Sequence, residues 1–203
     1  AVIYLVFNEG YVPTAGQDWM RPALSAEAMR LGRIVAGLAS DEPEAHGLVA
    51  LMELQAARFP ARVSASGEPI LLQDQDRRRW DRPLIRRGLQ ALDRAQTLGM
   101  PVGAYTLQAA IAACHANALS ADETDWQNVA GLYGVLGEVS PSPVVQLNRA
   151  VAVGRASGPA AGLEIVNALA DPPALRGYAM LPAVRADLLE ALGRTAEARR
   201  DFK

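Results

Sequence analysis

Leu38-Ala39-Ser40-Asp41-Glu42-Pro43-Glu44-Ala45 joins two apolar-periodic segments, and its reading decides the fold. Short oxygen-bearing side chains ahead of a proline mark a helix start. Their oxygens accept from the first unpaired N–H groups, and Pro in the first turn gives up only a donor that had no partner. Upstream, Arg21-Pro22 opens a helix running to about Ala39, with Leu24, Ala28, Leu31, Val35 and Leu38 expected on one inward face. Downstream, a second helix turns Ala45, Leu48, Met52, Gln55 or Ala56, and Phe59 inward. Two helices joined by so short a link run antiparallel and form a helical hairpin.

The same pattern repeats outward from this hairpin. Val2 to Tyr11 is apolar nearly all round, a pattern shared by strands and buried helices; the helical surroundings favour helix. Val12 to Trp19 reads as a loop. Asp81-Arg82-Pro83 caps a helix carrying Ile85, Leu89, Leu92 and Ala95, which Leu98-Gly99-Met100-Pro101 stops. Tyr105 to Leu119 is a helix rich in alanine, suited to close packing. Thr124 or Asp125 caps a helix with Trp126, Val129, Ala130, Tyr133 and Leu136. Ser140-Pro141-Ser142-Pro143 and Gly158-Pro159 open two more, Asp171-Pro172-Pro173 interrupts, and helices through Val184–Leu192 and from Thr195 follow. Gly154-Arg155 and Gly193-Arg194, 39 apart, are expected at the bends of successive hairpins, close to the tetratricopeptide period of about 34 residues. The fold class expected is all-α: nine to ten helices in stacked antiparallel hairpins, forming a short TPR-like solenoid.

Composition narrows the function classes. Half of the 203 residues are apolar and 21% are charged, so the chain buries a core and is not disordered. A formal net charge of −2 argues against gripping a nucleic-acid backbone unaided. One cysteine excludes internal disulfides and fits a reducing cytoplasm; no run is long enough to span a membrane. The chain opens on Ala1 within an apolar segment and stops within a helix, so a fragment of a longer protein is expected.

Against this background Gln73-Asp74-Gln75-Asp76-Arg77-Arg78-Arg79-Trp80-Asp81-Arg82 stands out. From Asp74 to Gly88 there are six Arg and three Asp. Alternating Asp and Arg suggests planar, bidentate ion pairing. Two readings stand: a loop pinned to the fold by its own ion pairs, or a site for a partner or an anionic ligand. Asn8-Glu9, which the Arg-rich stretch could satisfy, and Asn148-Arg149 pose the same question, because polar groups within apolar segments need partners. Trp80 and Trp126 read as core anchors between helices.

Chemistry-bearing constellations are scarce. Cys114 and His115 are adjacent, and neighbouring positions on a helix diverge by about 100°, so they are poorly placed to share a metal. Cys114 is expected in the core and His115 as a polar groove residue. No G-x-S-x-G elbow and no phosphate-binding G-x-x-x-x-G-K-[ST] loop occurs. The acidic groups Asp41–Glu44 and Asp122–Asp125 sit at helix starts and read as caps. No catalytic residue, metal ligand or cofactor is expected.

Taken in order, Tyr4-Leu5-Val6-Phe7-Asn8-Glu9-Gly10-Tyr11, Leu71-Leu72-Gln73-Asp74-Gln75-Asp76-Arg77-x-x-Trp80-Asp81 and Ser140-Pro141-Ser142-Pro143-Val144-Val145-x-Leu147-Asn148-Arg149-Ala150-Val151-Ala152 form a specific series. With Leu48–Met52, Leu107–His115 and Thr124-Asp125-Trp126, it resembles the TPR-like C-terminal extension, of the DUF6596 type, of bacterial extracytoplasmic-function RNA polymerase sigma factors. The likeness covers essentially the whole chain. It implies one helical domain over 1–203, with a family-specific part (1–120) followed by TPR-like repeats (121–203), preceded by sigma domains that this sequence lacks. It further implies a cytoplasmic, non-enzymatic regulator of transcription initiation. The partners implied are the protein's own sigma domains, the polymerase core and a small YCII-related protein, with DNA contacted only through the sigma domains. Asn8, Glu9, Gln73, Asp74, Asp76, Arg77, Trp80, Asp81, His115, Asn148 and Arg149 are the candidates to line or brace the contact face. The alternative is a groove in which the Arg/Asp/Gln cluster senses a small anion and thereby controls the same sigma factor.

Overall fold

A computed structural model describes residues 1–11, 21–99, 102–169, 178 and 180–201. Among these residues are ten helices and no strand: α1 (Val2–Tyr11), α2 (Pro22–Leu38), α3 (Pro43–Ala56), α4 (Arg82–Leu98), α5 (Ala104–Asn117), α6 (Trp126–Val139), α7 (Pro143–Ser157), α8 (Pro159–Ala168), α9 (Met180–Ala191) and α10 (Thr195–Asp201). The all-α expectation holds, and the helices pack in sequential pairs. The expected loop at 12–19 and the Pro-Pro interruption at 171–173 lie outside the described residues. The chain divides into two compact units, Ala1–Thr124 and Asp125–Lys203, where the sequence had suggested one domain with an internal boundary at 120/121.

The helix starts follow the expected chemistry. Glu42 caps α3 with Pro43 in the first turn, Asp81 Oδ1 accepts from Leu84 N at 2.9 Å at the start of α4, and Ser142 caps α7. At the fourth start the choice between Thr124 and Asp125 falls to Asp125, whose carboxylate accepts from Asn128 N at 3.0 Å.

In the first unit α3 is the central helix. It contacts α1, α2, α4 and α5, and nearly every residue from Ala45 to Ala56 is buried, with no polar face to speak of. Leu51 and Leu54 join Trp80, Ile85 and Leu92 in one core cluster; Leu48 and Met52 join Phe7 and Ala28 in another. Each such side chain contributes about 1.5–3 kcal/mol of burial. Phe59, expected at the end of the helix, instead begins a short 3-10 turn beyond it, Phe59–Ala61.

α2 corrects the sequence reading. Its buried residues are Ser25, Ala28, Gly32 and Ala36, whereas Leu24, Val35 and Leu38 are exposed, Leu38 to 84%. The inward face is chosen by closeness of approach, not by hydrophobicity. A Cβ on Gly32 would lie 2.5 Å from the Met52 methyl, so the small-residue stripe lets α2 approach α3 without moving the Met52 side chain. The large apolar residues are left facing outward.

In the second unit Leu147, Ala150, Leu163, Val166, Ala186, Leu188, Leu189 and Ala198 form the core. The expected bend at Gly154-Arg155 is corrected: both residues lie inside α7. The chain turns at Gly158 (φ 101°) and again at Gly193 (φ 74°), both in the left-handed region that glycine adopts without steric cost. Gly154 instead serves packing, facing Gly162 where α7 meets α8.

Candidate functional site

The Arg-rich stretch folds as two 3-10 turns, Leu72–Asp74 and Arg77–Arg79, leading into α4. Asp76 accepts from Arg78 N at 3.0 Å, from Nε at 2.9 Å and from Nη2 at 3.0 Å. These hydrogen bonds hold its carboxyl below the usual carboxylate range. This is the bidentate Asp–Arg pair that the sequence suggested. It is local and solvent-exposed, with Arg78 90% accessible, so it adds little stability.

Arg77 behaves differently, and the expectation of an ion-paired loop fails here. Only 5% exposed, it donates from Nη1 to His115 O at 2.6 Å and to Ala118 O at 3.0 Å, and from Nη2 to Thr124 Oγ1 at 3.2 Å. Its direct partners are thus the last carbonyls of α5 and a hydroxyl, not carboxylates. A guanidinium at a helix C-terminus satisfies orphan acceptors and complements the negative end of the dipole. The guanidinium carbon also lies 5.1 Å from the centre of the Trp80 ring. Trp80 is a core anchor as expected, 3% exposed among Ala57, Ala61 and Ala113. Asp81 closes the stretch: its N–H reaches Ala57 O at 2.8 Å and its carboxylate caps α4.

His115 and Cys114 exchange the places expected of them. His115 is buried (9% exposed) and Cys114 is half-buried. Burial, with Arg58 and Arg77 nearby, pushes the His115 pKa down to about 4, so the ring is neutral at physiological pH. Trp126 is half-buried, less enclosed than a core anchor.

Glu9 pairs with Arg21 at 3.2 Å and not with the Arg-rich stretch. Asn8 lies close enough to Tyr4 to act on its hydroxyl. Gln73 and Asp74 are exposed. In the second unit Asn148 is exposed and Arg149 Nη1 donates to Gln146 Oε1 at 3.4 Å. The candidates thus separate by burial. Arg77, Trp80, Asp81 and His115 brace the first unit, while Gln73, Asp74, Asp76 and Asn148 present polar atoms to solvent.

Two polar centres escaped the sequence reading. Glu53 on α3 is 1% exposed; its Oε1 accepts from Arg33 Nε of α2 at 2.7 Å and its Oε2 from Arg87 Nε of α4 at 3.2 Å. Glu44, also on α3, accepts from Tyr105 N and Thr106 N, both at 2.9 Å, and from Thr106 Oγ1 at 2.6 Å, capping α5 from another helix. The sequence offered one faint signal, a glutamate within an unbroken apolar run at Glu53. Glu44 looked like an ordinary first-turn acid of its own helix. Among the described residues no three His, Cys, Asp or Glu side chains gather to hold a metal ion, and no helix is long and apolar enough to cross a membrane.

Residues 1–96 match DUF6596, a family of unknown function. The match therefore covers α1 to most of α4, including the whole Arg-rich stretch. An uncharacterized protein of Rhizobium meliloti (strain 1021), R00370, is 47% identical over 201 residues, which is 99% of this chain and 47% of that protein. The chain spans about half the length of this curated relative. No solved structure matches it.

Proposed function

We propose that this chain is the regulatory, non-enzymatic extension of a bacterial extracytoplasmic-function sigma factor, a cytoplasmic helical array that modulates transcription initiation through protein contacts. The observation that carries the reading is the resemblance of the ordered blocks at Tyr4–Tyr11, Leu71–Asp81 and Ser140–Ala152 to that family's extension. Identity continuing over 201 residues of a relative about twice as long accords with an extension attached to other domains. The exposed apolar residues of α2, Leu24, Ile34, Val35 and Leu38, offer the apolar area that a protein partner covers. The partners proposed are the protein's own sigma domains, the polymerase core and a small YCII-related protein.

The test is promoter-specific transcription by the longer protein with core polymerase. Leu38→Glu and Asp74→Arg change exposed side chains and leave the packing intact. A shift in transcript yield of severalfold, with unchanged thermal unfolding, is the expected result. Unchanged yield in both variants would count against regulation through this surface.

A further inference from the structure

One arginine suffices to hold a carboxylate, because its planar fork reaches both oxygens at once. At Glu53 the oxygens are divided between two. Arg33 of α2 places Nε, at 2.7 Å, and Nη2 on Oε1, and Arg87 of α4 places Nε on Oε2 at 3.2 Å. The carboxylate is 1% exposed, whereas the two arginine side chains are 44% and 51% exposed. The shared carboxylate therefore fixes two guanidinium groups beside each other at the surface, where α2 and α4 flank α3. Arg33 Nη1 and both terminal nitrogens of Arg87 make no hydrogen bond among the described residues. One turn along the same three helices, Ala36, Val49 and Ala91 pack together, side chains too short to cover the arginines. Gly37, four residues beyond Arg33, has nothing within 4 Å of where a Cβ would stand, so that flank is open. Acids nearby do not supply a further partner: Glu27 is engaged by Arg30 at 2.6 and 2.8 Å, and Asp93 forms no ion pair with Arg87. Two positive charges thus share one negative charge.

We infer that Arg33 and Arg87, seated on Glu53, form a surface site for one carboxylate group, carried either by an acidic side chain of a protein partner or by a small carboxylic acid. A carboxylate lying across the outward N–H groups completes an alternating ring of two cations and two anions, with no net charge left. Phosphate fits an arginine fork as well, but at neutral pH it brings between one and two negative charges beside a buried carboxylate that cannot move away. Charge balance therefore selects the monoanion. The site lies wholly within the first unit, and the inference holds whether or not the chain belongs to a sigma factor.

The experiment titrates three probes into the purified chain at pH 7 and constant ionic strength, held with chloride. They are acetate, glutamate blocked at its amino and α-carboxyl groups, and inorganic phosphate. The Nε–H resonances of the arginines are followed by NMR. Both carboxylates should move the Arg33 and Arg87 signals together, with one apparent affinity, and leave that of Arg86, an exposed neighbour on α4, nearly still. Arg87→Gln keeps Arg33 on Glu53 and should weaken carboxylate binding about tenfold, Arg87→Lys by a smaller factor, and Arg86→Gln hardly at all. Tighter binding of blocked glutamate than of acetate identifies a protein side chain as the ligand, and the reverse identifies a small carboxylic acid. The site is overturned by signals that move no further than with chloride, by an equal response in Arg87→Gln, or by phosphate binding more tightly than either carboxylate. Should Arg87→Gln fail to fold, the wild-type titration decides alone: Arg33 and Arg87 responding at different concentrations, or not at all, ends the proposal.

Discussion

Glu44 and Arg77 hold opposite ends of one helix. The carboxylate takes the N–H groups of Tyr105 and Thr106 at 2.9 Å each, and the guanidinium takes the carbonyls of His115 and Ala118 at 2.6 and 3.0 Å. The negative group sits at the positive end of α5 and the positive group at its negative end, so each satisfies orphan backbone groups and the macrodipole together. Gly103, the residue before α5, has no room for a side chain, because a Cβ there would overlap the Glu44 carboxylate. Glu44→Ala should therefore cost about 2 kcal/mol, more than an exposed cap, since three donors lose one acceptor. Urea denaturation followed by circular dichroism reads this directly, and a loss below about 0.5 kcal/mol would refute the brace.

At the other end, Arg77→Met keeps the bulk of the side chain and strands the carbonyls it served. A destabilisation of about 3 kcal/mol is expected. Arg77→Lys should recover less than half, because an ammonium on a flexible stem cannot reproduce the fork. Amide exchange in the last turn of α5 should accelerate in both variants, and unchanged exchange would show that the carbonyls are held by other means.

Glu53 supplies a test of a buried charge. Its partners Arg33 and Arg87 are 44% and 51% exposed, so either can return to water while the carboxylate cannot. Removing one arginine leaves the other in place and should cost about 1 kcal/mol; removing both should cost about 3–5 kcal/mol, well beyond additivity. A double-mutant cycle on Arg33→Ala and Arg87→Ala measures this. Additive losses would mean that the carboxylate is satisfied elsewhere.

His115 makes stability depend on pH. Its pKa is lowered to about 4 in the folded chain, from about 6.5 unfolded, so the unfolded state binds the extra proton between these values. The contribution is fully present above about pH 6.5, is lost as pH falls toward 4, and levels off below; its full span is about 3 kcal/mol. Comparison of wild type with His115→Gln at pH 7.5 and pH 5 isolates this effect from the carboxylates. The difference between the two proteins should narrow, or change sign, at the lower pH. A constant difference would place the folded pKa near its ordinary value.

In the second unit, a Cβ on Gly162 would lie 2.6 Å from Ala150 O and 3.0 Å from Gly154 Cα, contacts with backbone that cannot swing aside. Gly162→Ala should destabilise by about 1–3 kcal/mol by forcing α7 and α8 apart. Gly131→Ala, also helical but with nothing within 4 Å, should stabilise by about 0.5–1 kcal/mol. Thermal unfolding of the two variants should move in opposite directions.

Much of the helix order was legible, because caps and prolines act on their immediate neighbours: Glu42-Pro43, Asp81-Arg82-Pro83, Asp125 and Ser142-Pro143 begin helices where the chemistry of unpaired N–H groups requires. Facing was less legible. Leu24, Val35 and Leu38 had the right spacing for a core stripe, yet the small residues Ser25, Ala28, Gly32 and Ala36 are the ones that face inward. The polar network was the least legible part. Arg77 lies beside Asp76 in sequence, which suggested an ion pair, yet its acceptors are His115 O and Ala118 O, 38 and 41 residues away. The Gly154 bend failed for a related reason: a glycine that admits a neighbouring backbone and a glycine that turns the chain look alike in one dimension.

The remote capping of α5 also bears on how the first unit comes apart. The Glu44 contacts span 61 and 62 residues and the Arg77 contacts 38 and 41, so neither is available to an isolated α5 peptide or to a chain that has not yet closed both loops. With a sequence of mostly small residues and no cap of its own at Gly103, α5 loses the acceptor for its first N–H groups once α3 lets go. Its amides should therefore exchange in step with those of α3, as one cooperative block, and ahead of neither.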